Sequence, residues 1–179
     1  VKKKADDALA EIERLRKELA EAKSDAEQLR LTKAYNKETD VLRATDWFQK
    51  GYSANLNNDY EQAIDFYNKA IELNPVSSTA YVNMGYCYGE LGNISKEVES
   101  YQRALEINPN NSMALNNIGL KYYDNGNIEE AIEYYRKSIK IDPELALPYY
   151  NFGIYYRDKQ NYLKASEYFN KSMELNPFD

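Results

Sequence analysis

The fold of this chain is decided by one segment, Ser112 to Leu145, which reads SMALNNIGLKYYDNGNIEEAIEYYRKSIKIDPEL. Apolar residues recur at helical spacing on both sides of a Gly126-Asn127 turn, and Asp142-Pro143 closes the segment. This pattern predicts two short helices joined by a tight turn. A helical hairpin of this size cannot bury its apolar faces alone, so it needs neighbours of its own kind.

The chain supplies such neighbours at a period of 34 residues, which is the distance from Pro109 to Pro143. The period is unbroken from Ala44 to Asp179, and it predicts four hairpins, at 44–77, 78–111, 112–145 and 146–179. The residues that recur at this spacing are Pro75, Pro109, Pro143 and Pro177; Gly51, Gly85, Gly119 and Gly153; and Tyr67, Tyr101, Tyr135 and Phe169.

This pattern resembles the tetratricopeptide repeat, whose signature is W-x2-L-G-x2-Y, then A-x3-F, then P. In the third repeat the matching residues are Leu115, Ile118, Gly119, Tyr122, Ala131, Tyr135 and Pro143. The resemblance implies an all-α, right-handed solenoid of helical hairpins that binds other proteins. It covers residues 44–179 and says nothing about residues 1–43.

The turns inside the repeats carry their own signals. Asp59, Asn93, Asn127 and Asn161 precede the second helices, where their side chains are suited to cap free backbone N–H groups. Gly92 and Gly126 stand one residue earlier in two of the repeats, which suits a left-handed helix end. We expect the glycines at 51, 85, 119 and 153 to let two helices approach closely, facing Ala63 or its equivalents.

Residues 1–43 are predicted to form a long helix, because they contain no Gly or Pro and are rich in helix formers. Apolar residues recur there in heptads, which is typical of a coiled coil. Charges at the flanking positions, such as Glu11 and Arg16, favour a parallel homodimer; the alternatives are a trimer or a single solvated helix. The residues expected at the oligomer interface are Ile12, Leu15, Leu19 and Leu29.

The heptads stop after Leu29, and residues 31–43 leave two arrangements open. They either join the coil to the repeats as one rod or fold against the first repeat. We expect Thr45 or Asp46 to cap the first helix of that repeat.

Glu97 departs from the repeat pattern, since it stands where a small alanine is expected. A buried carboxylate without a partner is costly. We therefore expect Glu97 to reach out towards solvent or to loosen the second repeat, and its replacement by alanine to stabilise the protein.

Composition excludes several classes of function. The net charge is −6, which argues against nucleic acid as a partner, and no apolar run has the length of a membrane span. There is no histidine, which removes most zinc sites and the commonest general base. The one cysteine, Cys87, is read as a core residue rather than a nucleophile. We expect no enzyme activity, no metal and no cofactor.

The resemblance implies a peptide-binding groove along the first helices of the repeats. An asparagine row, Asn83, Asn117 and Asn151, offers donors and acceptors to the backbone of an extended peptide; the alternative is that these residues merely solvate their helices. The residues expected to line the groove are Phe48, Gln49, Tyr52, Val82, Asn83, Tyr86, Asn117, Leu120, Tyr123, Tyr150, Asn151 and Ile154.

These observations favour a non-catalytic scaffold that binds a protein or peptide partner and is oligomerised by its N-terminal helix. Two alternatives remain open: a regulatory or targeting fragment of a larger enzyme, and a bacterial envelope assembly factor. The chain begins at Val1 rather than Met, so we expect a fragment or a processed chain. The compartment is left open between the cytoplasm, which is favoured, and the periplasm.

Overall fold

A computed structural model describes residues 2–22 and 24–176, and every regular element in these ranges is an α-helix. The all-α fold expected from the repeats is therefore confirmed. The helices are α1 (Lys2–Glu21), α2 (Asp25–Leu56), α3 (Tyr60–Leu73), α4 (Ser78–Glu90), α5 (Ile94–Ile107), α6 (Ser112–Asp124), α7 (Ile128–Ile141), α8 (Ala146–Asp158) and α9 (Tyr162–Leu175).

The helices are divided between two compact units, Val1–Leu91 and Gly92–Asp179. The first unit holds α1 to α4, in which α2 packs on both α1 and α3, and α3 packs on α4. The second unit holds α5 to α9, which pack in sequence, each helix on the next. Short connections make consecutive helices antiparallel neighbours within each unit.

The long N-terminal helix predicted from the sequence is wrong, because α1 ends at Glu21 and a separate helix, α2, begins at Asp25. Ser24 is the N-cap of α2, and its hydroxyl accepts a hydrogen bond from the Glu27 backbone N–H at 3.2 Å. Asp25 and Glu27 also place negative charge in the first turn of α2, which favours a helix start there. The signal was present in the sequence, since Ser24 to Glu27 reads S-x-x-E, the capping-box pattern.

Helix α1 folds back onto α2, so its apolar stripe is already buried within one chain. Ala8 and Leu15 on α1 are each 3% exposed, and Leu31 on α2 is 7% exposed. The predicted homodimer rests on the premise that the apolar heptad residues, the coiled-coil seam, are left for a second chain to cover. That premise is wrong for the part of the seam that lies on α1.

Helix α2 continues without a break from the hairpin into the first repeat. The expected boundary between residues 43 and 44 falls inside this helix. The Thr45 hydroxyl donates to the Val41 carbonyl at 2.9 Å, a bond typical of a helix interior. Thr45 and Asp46 therefore do not cap a helix start, because the first repeat inherits its helix from the N-terminal hairpin.

Three of the repeat glycines lie directly under aromatic rings. A Cβ on Gly51 would lie 2.7 Å from Tyr67 Cε1, one on Gly119 would lie 2.8 Å from Tyr135 Cε1, and one on Gly153 would lie 2.5 Å from ring carbons of Phe169. The expected partners, Ala63 and its equivalents, are not the nearest neighbours. The rings take that place, and the missing side chain is what lets the helices close on them.

Two serines, one buried and one half-buried, fasten second helices to first helices in the second unit. The Ser138 hydroxyl on α7 donates to the Ser112 carbonyl at the start of α6, at 2.8 Å, and Ser138 is fully buried. The Ser172 hydroxyl on α9 makes the equivalent bond to the Ala146 carbonyl on α8 at 3.1 Å. These bonds join the second helix of each hairpin to the first turn of its first helix and hold the hairpins in register.

The left-handed turn residues were predicted correctly for two repeats. Gly92 and Gly126 have φ values of +73° and +80°. The equivalent places in the other two repeats hold Asn58 at φ +61° and Gln160 at φ +56°. Glutamine has a Cβ and rarely adopts this conformation, so Gln160 carries backbone strain that the glycines avoid.

The asparagine caps are confirmed at two of the four predicted positions. The side chains of Asn93 and Asn161 accept from the backbone N–H groups of Lys96 and Lys164, each at 3.2 Å. Asp59 and Asn127 occupy the same N-cap place, but their side chains make no capping hydrogen bond.

Replacing Gln160 by glycine is expected to stabilise the protein by about 1 kcal/mol, because it removes the left-handed strain. Asn58→Gly should gain less, since asparagine tolerates this conformation better. Gln102→Gly is the matched control: Gln102 is exposed within α5, so glycine there should destabilise by about 1 kcal/mol. Thermal unfolding of the three variants measures the differences. A lower midpoint for Gln160→Gly would contradict the strain argument.

Candidate peptide-binding surface

In the first unit the predicted groove residues divide into exposed and buried sets. Tyr52 on α2 and Tyr86 on α4 are 46% and 43% exposed, while Phe48 is half-buried and packs on the Tyr67 ring at 5.6 Å. Gln49 is exposed and Asn83 is half-buried. Val82 is only 4% exposed, so the expectation that it forms part of the groove floor is wrong.

Tyr86 is surrounded by aromatic and acidic groups. Tyr60 packs edge-on against it with ring centroids 6.3 Å apart, and the Tyr60 hydroxyl lies 3.3 Å from Glu90 Oε2. Burial, followed by the nearby Glu90 charge, raises the pKa of Tyr86 to about 12. Tyr86 is therefore a neutral phenol at physiological pH and keeps its hydroxyl proton as a donor.

In the second unit the asparagines form a hydrogen-bonded chain. Asn151 Nδ2 on α8 donates to Asn116 Oδ1 on α6 at 2.9 Å, and Asn116 Nδ2 donates to Asn117 Oδ1 at 3.1 Å. Asn116 and Asn151 are buried, and Asn117 is half-buried. The expectation that Asn151 holds a ligand backbone is wrong, because its amide is used to join two helices of the protein.

Sequence reasoning did not foresee this chain because Asn116 sits at a place where the other repeats have Phe48, Val82 and Tyr150. The row Asn83, Asn117 and Asn151 was selected by its shared repeat position alone. Only the packing of α6 on α8 shows that the neighbouring Asn116 supplies the partner.

A second link between α6 and α8 lies at the rim. The Tyr123 hydroxyl donates to Asp158 Oδ2 at 2.7 Å, and Arg157 Nε donates to Asp158 Oδ1 at 2.9 Å. The bond from Tyr123, then that from Arg157, lowers the pKa of the Asp158 carboxyl. Burial, and then this bond, raises the pKa of Tyr123 to about 12. The Asp158 charge is thus largely satisfied within the protein.

The other groove residues of the second unit offer apolar area. Tyr150 on α8 is 50% exposed and packs on the Phe169 ring with centroids 5.5 Å apart. Leu120 and Ile154 are half-buried. These side chains leave an apolar strip on the first helices, with Tyr150 as its most exposed member.

Glu97 is buried rather than turned towards solvent, and it has a partner. Lys121 Nζ lies 3.1 Å from Glu97 Oε1 and 3.4 Å from Asp124 Oδ2. The side chains of Glu97 and Lys121 are 6% and 20% exposed. The expectation that Glu97→Ala stabilises the protein is therefore withdrawn, since Glu97 forms a buried ion pair across α5 and α6.

The Cys87 thiol lies in the core of the first unit. Burial raises the pKa of the Cys87 thiol to about 11, and the residue is fully buried. Within residues 2–22 and 24–176, no group of three or more histidine, cysteine or carboxylate side chains is arranged to hold a metal ion.

No helix in the described ranges combines the length and apolar character needed to cross a membrane.

Comparison with protein families gives matches along the whole repeat region. Two models, both described as tetratricopeptide repeat, match this chain. The first covers residues 44–75 and 112–145, and the second covers residues 78–111 and 146–179. A search of curated proteins gave no match.

Solved structures share the fold. A crystal structure of MamA is 26% identical, with a TM-score of 0.59, and the match covers 82% of this chain and 87% of that one. PilF of Pseudomonas aeruginosa is 25% identical, with a TM-score of 0.66; the match covers 80% of this chain but only 64% of PilF, less than two thirds. The tetratricopeptide domain of Arabidopsis OM64 is 23% identical, with a TM-score of 0.54 over 58% of this chain and 86% of that one, and shows the fold alone.

Replacing Lys121 by methionine is expected to cost about 3 kcal/mol, because it leaves the Glu97 carboxylate buried without its cation. The double variant Lys121→Met/Glu97→Ala should return to within about 1 kcal/mol of the native protein, since both charges are then gone. Urea unfolding measures both free energies.

Lys137→Met provides the matched control, because Lys137 pairs with Glu133 at 2.6 Å while both side chains are exposed. Its loss should be below about 0.5 kcal/mol. Equal losses for Lys121→Met and Lys137→Met would show that burial of the Glu97 pair has no energetic weight.

Proposed function

We propose that this chain, which belongs to the tetratricopeptide repeat family, binds a peptide segment of a partner protein on the first helices of its repeats. Proteins of this family are generally non-catalytic scaffolds for protein–protein interaction, and that broad role holds for this chain. The peptide, the residues that grip it and the oligomeric state are the specific content of the proposal.

The exposed tyrosines carry the proposal. Tyr52, Tyr86 and Tyr150 lie on first helices of three different repeats, and each exposes between 43% and 50% of its area. Large aromatic side chains of this exposure supply much of the energy at protein interfaces, because they bury area at small entropic cost. Such tyrosines occur on first helices in each of the two units, so each unit offers aromatic area to a peptide.

Three acidic residues, Glu90, Asp124 and Asp158, border this surface. They attract a basic peptide less strongly than their number suggests, because two of them are paired within the protein. Asp158 is paired with Arg157 and Asp124 with Lys121. Glu90 is contacted by the Tyr60 hydroxyl, which leaves its negative charge in place. A mostly apolar peptide with a lysine or arginine near Tyr86 therefore fits the surface, at micromolar affinity, because ordering a flexible peptide offsets much of the burial.

The asparagines distinguish two binding modes. An extended peptide has free backbone groups that the amides of Asn83 and Asn117 are suited to bind, whereas a helical peptide has its backbone already paired. Asn151 takes no part in either mode, because it is bonded to Asn116. A regulatory fragment of an enzyme and an envelope assembly factor would use the same surface.

We also propose that the chain forms a parallel homodimer through residues 1–30. Leu29 supports this, since it is 58% exposed on α2 while Ile12 and Leu19 are half-buried in the hairpin. Leu15 cannot face both α2 and a second chain at once. A dimer that uses all the heptads of residues 1–30 therefore requires α1 to detach from α2. Helices α1 and α2 would then form one continuous helix.

Substituting both exposed tyrosines, Tyr86→Ala with Tyr150→Ala, is expected to weaken peptide binding roughly thirtyfold, or about 2 kcal/mol. The peptide is first selected from a random library on the immobilised chain, and affinity is then measured by titration calorimetry. Asn83→Ala with Asn117→Ala should weaken an extended peptide about tenfold and a helical one by less than about twofold.

Tyr162→Ala is the matched control for these variants. Tyr162 is 67% exposed but begins α9, a second helix, so its loss should leave binding unchanged. If Tyr162→Ala weakens binding as much as the tyrosine pair, the first helices are not the binding surface.

Dimerisation is tested by sedimentation of the full chain over a range of concentrations. Leu29→Glu should shift the chain towards monomer, by tenfold or more in dissociation constant, because it places a charge in the shared seam. It should not unfold the hairpin, where Leu29 is already exposed. Ala10→Glu is the control, because Ala10 is exposed and lies at the heptad position opposite the seam. A native chain that stays monomeric at every concentration refutes the dimer.

A further inference from the structure

A cleft of about 690 Å³ lies within the first unit, where α1, α2 and the connection between α3 and α4 meet. None of the three exposed tyrosines proposed to bind a peptide, Tyr52, Tyr86 and Tyr150 (the tyrosine surface), lines it. Three lysines line it: Lys4 from α1, and Lys33 and Lys37 from α2. Lys33 and Lys37 are one helical turn apart, so they share one face of α2.

The cleft is positively charged although the chain as a whole carries a net charge of −6. The three lysines are exposed, and none forms an ion pair with another residue in the part of the chain that the structure describes. The one lining carboxylate, Asp40, is paired with Arg43 at 3.2 Å and so does little to neutralise them. The cleft therefore has a positive electrostatic potential.

The start of α4 adds polar groups that also favour an anionic ligand. Ser77 is the N-cap of α4, and its side chain makes no capping hydrogen bond. Ser78 and Thr79, in the first turn of α4, also line the cleft. The first turn of a helix carries partial positive charge and favours anionic groups.

Apolar side chains stand between these polar groups, which bears on the class of ligand. Val41, Leu73 and Val76 line the cleft, and Val76 is 73% exposed. Separate lysines act as individual point charges rather than as a fork for one phosphate. Lysines separated by apolar side chains suit a peptide ligand in which carboxylates are likewise separated by apolar side chains.

We propose that this cleft binds an acidic peptide segment of a protein partner, in which aspartate or glutamate residues alternate with a few apolar ones. The carboxylates pair with Lys4, Lys33 and Lys37, and an apolar side chain packs on Val76. The site does not depend on the tyrosine surface and selects a ligand of the opposite charge.

The probe for this proposal is a peptide of about ten residues, made of glutamate and aspartate with two leucines, that carries a neutral fluorophore. Anisotropy titration with the full chain should show binding that weakens as NaCl is raised from about 50 mM to about 300 mM. Lys33→Gln with Lys37→Gln should weaken it about tenfold. Val76→Ser should weaken it about threefold.

Lys17→Gln with Arg30→Gln is the matched control, because it removes the same charge from exposed residues of α1 and α2 that do not line the cleft. Its affinity should stay within twofold of the native chain. Tyr86→Ala with Tyr150→Ala should bind the probe normally, which separates this site from the proposed tyrosine surface.

Four outcomes overturn the proposal. The first is that the native chain fails to bind the acidic probe. The second is that the cleft pair and the control pair of substitutions weaken binding equally, which would indicate that binding depends on net charge alone. A third is competition by inorganic phosphate at the concentration at which the free peptide competes, which would indicate a simple anion site. The fourth is loss of binding in the tyrosine variant, which would place the probe on the other surface.

Discussion

The close approach of a glycine to an aromatic ring is the constraint on which the repeats depend. In the third repeat the ring of Tyr135 lies where a Cβ of residue 119 would be, at 2.8 Å. No other residue type leaves that space, so the distance between the first and second helix is set by the absence of one carbon atom. Tyr135 is 1% exposed and cannot swing aside. The bond from the buried Ser138 hydroxyl to the Ser112 carbonyl, in the same repeat, requires this spacing.

Buried polar groups then decide which helices pair and which surface is left for a partner. Lys121 reaches Glu97 between α5 and α6, and Asn151 reaches Asn116 between α8 and α6. Each group would be costly to bury alone, so each specifies its neighbour. The same pairing removes Asn151 from the ligand surface. What stays accessible is aromatic area with few unpaired charges, which suits recognition of apolar peptide side chains.

The N-terminal hairpin links two of the proposed properties. Helix α1 supplies Lys4 to the basic cleft, and it also carries the apolar residues expected in a coiled coil. A chain whose α1 leaves α2 to pair with a second chain loses the α1 wall of that cleft. Dimerisation through the full heptad run and binding of an acidic peptide in the cleft therefore exclude each other in one chain. An acidic peptide that binds only when the cleft is intact must therefore shift the monomer–dimer equilibrium towards the monomer.

The 34-residue period was enough to predict the repeats, since a fixed period makes each helix start, turn and end recur with similar residues. Positions read from local chemistry, such as Gly92 and Gly126, were predicted correctly because backbone conformation depends on the residue itself. The S-x-x-E pattern of Ser24 to Glu27, which marks the start of α2, is an equally local signal. The heptads run across it and favoured one continuous helix.

The contacts of individual side chains could be read only from the packed helices. Repeat position predicted an unpartnered Glu97, an accessible Val82 and a ligand-facing Asn151. In the structure Glu97 pairs with Lys121, Val82 is buried and Asn151 bonds to Asn116. The basic cleft has the same origin, because Lys4 and Lys37 come together only when α1 folds back on α2. Burial and pairing depend on residues far apart in the chain, whereas the sequence pattern reports the residues nearby.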